Sequence, residues 1–246
     1  YVDALILSKA AKLFGKLDDA KKYEQLAKDI RQALNDKYFD KEKCIYASGS
    51  QTELSMALYW GIVPDEYKQE VARRLAEDVV SKDYHLDVGV HGCKALLCAL
   101  SENGYADVAY RVAVQDTYPS WGAWIAQLGA TTLRENWTFD NNDSDNHIMY
   151  GEIGAWPYKG LGGIYPDEQQ PGFRHIILRP NFVDGLERFE ACHTSPYGEI
   201  RSAWSRKGRR VTYDVSIPLG STATWVSPDG TRHELTAGTH QFKVKL

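Results

Sequence analysis

The chain has 246 residues, 43% of them apolar and 25% charged, with a net charge of -4. These values fit one large or two ordinary globular domains. They exclude a basic nucleic-acid surface, and no apolar run is long enough to span a bilayer, so neither nucleic acid nor membrane is expected as a partner.

The first two-thirds carries helical spacing. Leu5, Leu13 and Phe14 predict a first helix that Gly15 ends. Tyr23, Leu26, Ala27, Ile30 and Leu34 recur at helical intervals between charged residues. Ser50 and Glu53 have the spacing of a capping box ahead of Leu54, Ala57 and Leu58. Pro64 is read as a first helical residue, followed by Tyr67, Val71, Leu75 and Val79 on one face. Cys93, Leu96, Leu97 and Leu100 lead to a stop at Gly104. Further helices are predicted through Ala109 and Val112, and around Trp124 to Leu128. A last one is predicted from Ser144 past Tyr150, broken by Gly151, Gly154 and Pro157. About seven helices result from this periodicity. Paired helices without a fixed sequence repeat favour part of an α/α barrel over a solenoid.

The pattern changes after the polar stretch Tyr165 to Gly172. Val211, Tyr213, Val215 and Ile217 alternate with polar residues; Ala223 and Trp225 come next, and the Pro228-Asp229-Gly230 turn leads to Phe242, Val244 and Leu246. Short strands between turns suggest a sandwich or barrel, of which an antiparallel β-sandwich is the one expected. The expected domains are therefore 1–168, helical, and 169–246, β. The chain opens on Tyr1-Val2-Asp3, with no initiating Met or signal peptide, and is expected to be a piece of a longer protein.

Chemistry concentrates in residues 116–156. Here Trp121, Glu135, Trp137, Asn146 and His147 stand among polar loop sequence suited to a sugar site on a helical scaffold. Taken alone, Glu135 reads as a surface carboxylate paired with Arg134, and His147 as a structural histidine. The 7 Trp and 15 Tyr belong first of all to cores. The run Asp140 to Asp145 resembles the start of a calcium loop, but Asp145 stands at the glycine position and Gly151 at the glutamate position. The histidines lack zinc spacing. No metal or cofactor is expected. Cys44, Cys93, Cys98 and Cys192 form no redox motif and are read as buried free thiols.

An ordered set of motifs resembles the inverting α-L-rhamnosidases of glycoside hydrolase family 78. The set includes Gly49-Ser-Gln51-Thr52, Trp60-Gly-Ile-Val-Pro64, His85-Leu86 followed by Gly89 and Gly92, Ala99 to Gly104, Gln115 to Trp121, Gly129-Ala-Thr-Thr132, Glu135-x-Trp137, Asn146-His147 followed by Tyr150-Gly151, Gly163-Ile164 with Pro166-Asp167, Pro171-Gly172 and Ser195-Pro-Tyr-Gly198. The resemblance implies the later part of an (α/α)6 six-hairpin barrel, a carboxy-terminal β-sandwich, and hydrolysis of terminal α-L-rhamnosyl residues with inversion. It implies Glu135 as general base, His147 and Asn146 on the sugar, and a general acid upstream of Tyr1. Trp137 and Trp121 are conjectured as a flat wall for the sugar. The implied partners are a rhamnose-containing oligosaccharide, polysaccharide or glycoside and the amino-terminal half of the same protein, without which the chain should be inactive and expose an apolar face. Three departures stand out: a shortened loop between Glu135 and His147, Arg134 where an aromatic is common, and Pro157 in the last helix. A six-hairpin glycosidase of different specificity and a non-catalytic sugar-binding scaffold remain as alternatives.

Overall fold

A computed structural model describes residues 1–139 and 144–246. The chain divides into two compact units, 1–99 and 100–246. In the first, α1 (Val2–Leu13) packs on α2 (Leu17–Tyr38), and Gly15, at φ +69°, makes the turn between them. The Ser8 hydroxyl donates to the Ala20 carbonyl at 2.8 Å across this pair. Ile6, Leu13 and Phe14 stay exposed on α1 and at its end.

Phe39–Asp40 (β1) and Ile45–Tyr46 (β2) then form a small antiparallel ribbon that helical spacing did not predict. The Asp40 carboxylate closes its turn by accepting from the N–H groups of Glu42 and Lys43. The next helix, α3 (Gln51–Tyr59), has the expected capping box: Ser50 Oγ accepts from Glu53 N–H, and the Glu53 carboxylate accepts from Ser50 N–H. It packs on α4 (Lys68–Ser81), where Val71, Leu75 and Val79 are fully buried. Pro64 does not open α4. It precedes a 3-10 turn at Asp65–Tyr67, because its extended ψ of 143° belongs to a cap.

Gln51, also fully buried, donates to the His85 carbonyl and accepts from Asp87 N–H, which fastens the 85–87 segment onto α3. Then α5 (Val90–Glu102) buries Cys93, Leu96, Leu97 and Leu100, as their spacing predicts.

The second unit continues through α6 (Ala106–Ala113) and α7 (Trp121–Leu128). No helix begins at Ser144, contrary to the spacing there. The chain turns helical only at Ile148, through a 3-10 turn (Ile148–Tyr150), α8 (Glu152–Trp156) and one π-turn (Pro157–Leu161), so the break expected around Gly151 and Pro157 is present.

Eight strands make two four-stranded sheets. The first has the order β10 (Gly238–Lys245), β7 (Arg210–Ile217), β6 (Gly198–Lys207), β5 (Arg188–Ser195), all antiparallel. The second has the order β3 (Ile164–Pro166), β4 (His175–Leu178), β8 (Thr222–Val226), β9 (Arg232–Leu235). Here β4 and β8 run parallel, a difference from the wholly antiparallel sandwich expected. The physical reason is that the chain crosses through β5, β6 and β7 of the other sheet before it returns. Val211, Tyr213, Val215 and Ile217 are buried on alternate positions of β7, facing a core with Ile176, Leu178, Trp204 and Trp225. β3 lies ahead of residue 168, so pairing in this sheet begins before the expected division. Cys44, Cys93 and Cys98 are buried thiols outside any disulfide, whereas Cys192 is exposed because it faces outward on β5.

The π-turn is tied to β6. Ser202 Oγ donates to the Gly162 carbonyl at 2.6 Å, and Trp204 Nε1–H donates to the Leu161 carbonyl at 3.0 Å. Only glycine fits the crossing at residue 163: its φ is +67°, and a Cβ there would meet the Arg179 carbonyl carbon at 2.1 Å. In the full-length protein, Gly163→Ala should therefore cost at least about 2 kcal/mol. Calorimetry should show the lowered transition. Gly154→Ala in α8, where a Cβ meets nothing within 4 Å, should leave the transition in place.

Candidate functional site

The site is built on α7. Ser120 caps it, its Oγ accepting from Ala123 N–H at 2.9 Å, and Gly129 ends it at φ +66°. Gly122 lets the preceding loop come close, since a Cβ there would meet the Gln115 carbonyl oxygen at 2.3 Å. Trp121 and Trp124, three residues apart on one face of α7, are both buried.

The segment from Thr131 to His147 leaves α7 and returns on itself. His147 N–H donates to the Leu133 carbonyl at 2.8 Å, and Glu135 N–H donates to the Ser144 carbonyl at 2.9 Å. Ser144 N–H donates in turn to Glu135 Oε2 at 3.1 Å. The Thr132 hydroxyl donates to the Asp145 carbonyl. This pairing keeps residues 144–147 out of a helix, with His147 itself extended (φ -138°, ψ 129°), and explains why no helix starts at Ser144. Of the stretch resembling a calcium loop, residues 140–143 lie outside the described residues. Among the described residues, no group of three or more His, Cys, Asp or Glu side chains is placed to hold a metal ion, and no helix is long and apolar enough to cross a membrane.

The structure brings Glu135, Asn146 and His147 onto two facing arms of one loop. Glu135 is half-buried and Asn146 exposed. His147 is half-buried, and its Nδ1 is buried without a hydrogen-bond partner among the described residues. Arg134 does not serve as the partner of Glu135 that adjacency suggests. Its side chain is 4% exposed, and its Nε donates to Asp145 Oδ1 at 2.7 Å.

Trp121 and Trp137 take a different place from the open wall expected. Trp137 stacks on Trp124 (centroids 4.7 Å apart, planes at 20°), meets Trp121 edge-on at 5.3 Å and lies 4.4 Å from the Tyr150 ring. Trp121 Nε1–H donates to the Tyr150 carbonyl at 2.9 Å. Aromatic rings of this area lower the free energy more by packing on one another than by facing water, so the cluster is the floor beneath the loop. Trp124 joins this floor although sequence reasoning did not single it out; its three-residue spacing from Trp121 is the signal that could have found it. A shallow depression of about 450 Å³ is lined by Trp121, Trp124, Ile125, Thr132, Leu133 and Ile153, among others; neither Glu135 nor His147 is among its lining residues.

Residues 1–161 match the family described as bacterial alpha-L-rhamnosidase 6 hairpin glycosidase domain, and residues 163–242 match the bacterial alpha-L-rhamnosidase C-terminal domain. The chain belongs to the bacterial α-L-rhamnosidase family.

An α-L-rhamnosidase of Formosa agariphila is 31% identical over 97% of this chain and 26% of its own length. The α-L-rhamnosidase structure from Dictyoglumus thermophilum superimposes with a TM-score of 0.90 at 31% identity, over 100% of this chain and 31% of that one. The Streptomyces avermitilis α-L-rhamnosidase complexed with L-rhamnose gives a TM-score of 0.87 at 29% identity, over 98% of this chain and 26% of that one. The chain thus spans about a quarter of the curated relative's length. Its helices are part of a rhamnosidase six-hairpin domain, and its two four-stranded sheets are in the C-terminal domain beyond it.

The aromatic floor yields a direct stability test. In the full-length protein, Trp137→Ala should lower the unfolding free energy by about 3–5 kcal/mol, the range for emptying an aromatic core site. Trp137→Phe should retain most of it, as urea titration followed by tryptophan fluorescence would show.

Proposed function

We propose that this chain is the carboxy-terminal part of an inverting α-L-rhamnosidase in which Glu135 is the general base. The single observation that carries the reading is the paired loop: it holds the Glu135 carboxylate by one oxygen, from Ser144 N–H, on the arm that faces that of His147. Inversion requires a water molecule delivered to the anomeric carbon from the face opposite the leaving oxygen. In this reading Glu135 takes that water's proton through Oε1, while Oε2 stays tethered. His147, through its imidazole, and the exposed Asn146 hold sugar hydroxyls. Trp121 and Trp137 act from below, by setting the height of the loop.

The general acid comes from the part of the protein that precedes Tyr1, and with it the remaining walls of the sugar cavity. Support comes from the apolar side chains left exposed in each unit: Ile6, Leu13 and Phe14 in the first, Ile125 and Ile148 in the second. The substrates are rhamnose-containing oligosaccharides, polysaccharides or glycosides. The division between barrel and sandwich was expected at residue 168; the pairing of β3 with β4 supports putting it just ahead of β3.

The full-length protein assayed on an aryl α-L-rhamnoside tests the base. Glu135→Gln should reduce kcat by about 10²–10⁴-fold, the usual contribution of a general base, while rhamnose still binds. Retained turnover would remove the assignment. A variant with no change from an already negligible rate would instead identify a sugar-binding scaffold. The isolated 246-residue chain should give no turnover at all, since half of the acid–base pair is missing.

A further inference from the structure

Between the two backbone bridges of the loop lies one more connection, made by side chains. Arg134 precedes Glu135 on one arm, and Asp145 lies two residues before His147 on the other. Arg134 Nε donates to Asp145 Oδ1 at 2.7 Å, and Arg134 Nη1 donates to the Thr138 carbonyl at 3.1 Å. The guanidinium is buried, with a side chain 4% exposed, whereas the Asp145 side chain is 77% exposed. A surface ion pair holds little in place. A buried guanidinium differs, because it cannot leave its acceptors without losing both solvation and partners. Its rigid fork also reaches two acceptors at once, which a lysine ammonium on a flexible stem does less well.

We propose that Arg134 is a positioning residue for the reaction. Its contacts fix the Asp145 arm against the Glu135 arm, and so hold Glu135 and His147 in register. This rests on the reading of Glu135 as general base. The backbone bridges Leu133–His147 and Glu135–Ser144 pair the arms. The Arg134–Asp145 contact adds an ion pair between them, and Thr138 extends the tether toward the Trp137 end of the loop. Rate depends steeply on such placement: a displacement of about 1 Å can cost about 10²-fold. Arg134 touches no reacting atom and acts through the loop alone.

The test is steady-state kinetics of the full-length protein on an aryl α-L-rhamnoside, at a temperature well below the melting point of every variant. Arg134→Gln should lower kcat about 10–100-fold with KM within about twofold. Arg134→Lys should recover part of kcat, since one donor is restored. Asp145→Asn should lower kcat in the same way, and the double variant Arg134→Gln/Asp145→Asn should be no worse than the more impaired single one. Wild-type kcat in a folded Arg134→Gln protein, a change in KM alone, or fully additive losses would overturn the proposal. If Arg134→Gln fails to fold, Asp145→Asn, altered at the exposed end of the pair, decides: unchanged kcat there overturns it. Glu135→Gln measured alongside separates the two ideas. Loss of turnover in Glu135→Gln with normal Arg134→Gln sinks only the positioning role, whereas retained turnover in Glu135→Gln sinks both.

Discussion

Two backbone hydrogen bonds, His147 N–H to the Leu133 carbonyl and Glu135 N–H to the Ser144 carbonyl, constrain the candidate site more than any other feature. They keep residues 144–147 from forming a helix, and they set a carboxylate and an imidazole on facing arms. Had Ser144 begun a helix, His147 would stand one turn along it, with no fixed relation to Glu135. Loops carry such groups well when a rigid scaffold holds their ends. Here one end leaves α7 through the left-handed Gly129 and the other enters the 3-10 turn before α8.

Beneath the loop, the scaffold is aromatic. Trp124 and Trp137 stack, Trp121 and Tyr150 close the cluster edge-on, and the indole of Trp121 is bonded to the Tyr150 backbone. Beyond Tyr150 the chain runs through α8 and the π-turn into the sandwich, where Ser202 and Trp204 bind the carbonyls of Gly162 and Leu161. Trp156 Nε1–H meanwhile donates to Ser101 Oγ at 2.9 Å, anchoring α8 to the end of α5. Within the second unit the segment from Tyr150 to Gly162 is therefore tied at both ends, to Trp121 and to β6. The large aromatics of the sandwich, Trp204, Tyr213 and Trp225, are buried in its own core.

Local rules were enough for much of this. The period of two from Val211 to Ile217 named its buried face correctly, because one side of that sheet meets a core and the other meets water. The Ser50–Glu53 capping box needs only residues three apart. What the sequence hid was nonlocal. Ser144 looked like a helix start because Asp, Ser and Asn favour caps, yet the arm at 133–135 claims its backbone. Trp121 and Trp137 looked like a sugar platform because a sequence reports ring type without saying which face is covered. Arg134 looked like the partner of its neighbour Glu135, whereas it pairs with a carboxylate eleven residues away. The parallel β4–β8 pair was likewise invisible, since strand direction in a sheet depends on the path of the chain between them. Glu135, Asn146 and His147 were legible as a group through the ordered motifs alone; the structure adds the pairing that joins them.

The most direct measurement is a crystal structure of the full-length protein soaked with L-rhamnose. The account predicts the sugar beside the loop, with the Glu135 carboxylate aimed at a water below the anomeric carbon. His147 should be hydrogen-bonded to a sugar hydroxyl, and a carboxyl from before Tyr1 should lie about 6.5–9.5 Å across from Glu135. Rhamnose bound elsewhere, with Glu135 turned toward bulk solvent and no carboxyl opposite, would contradict it.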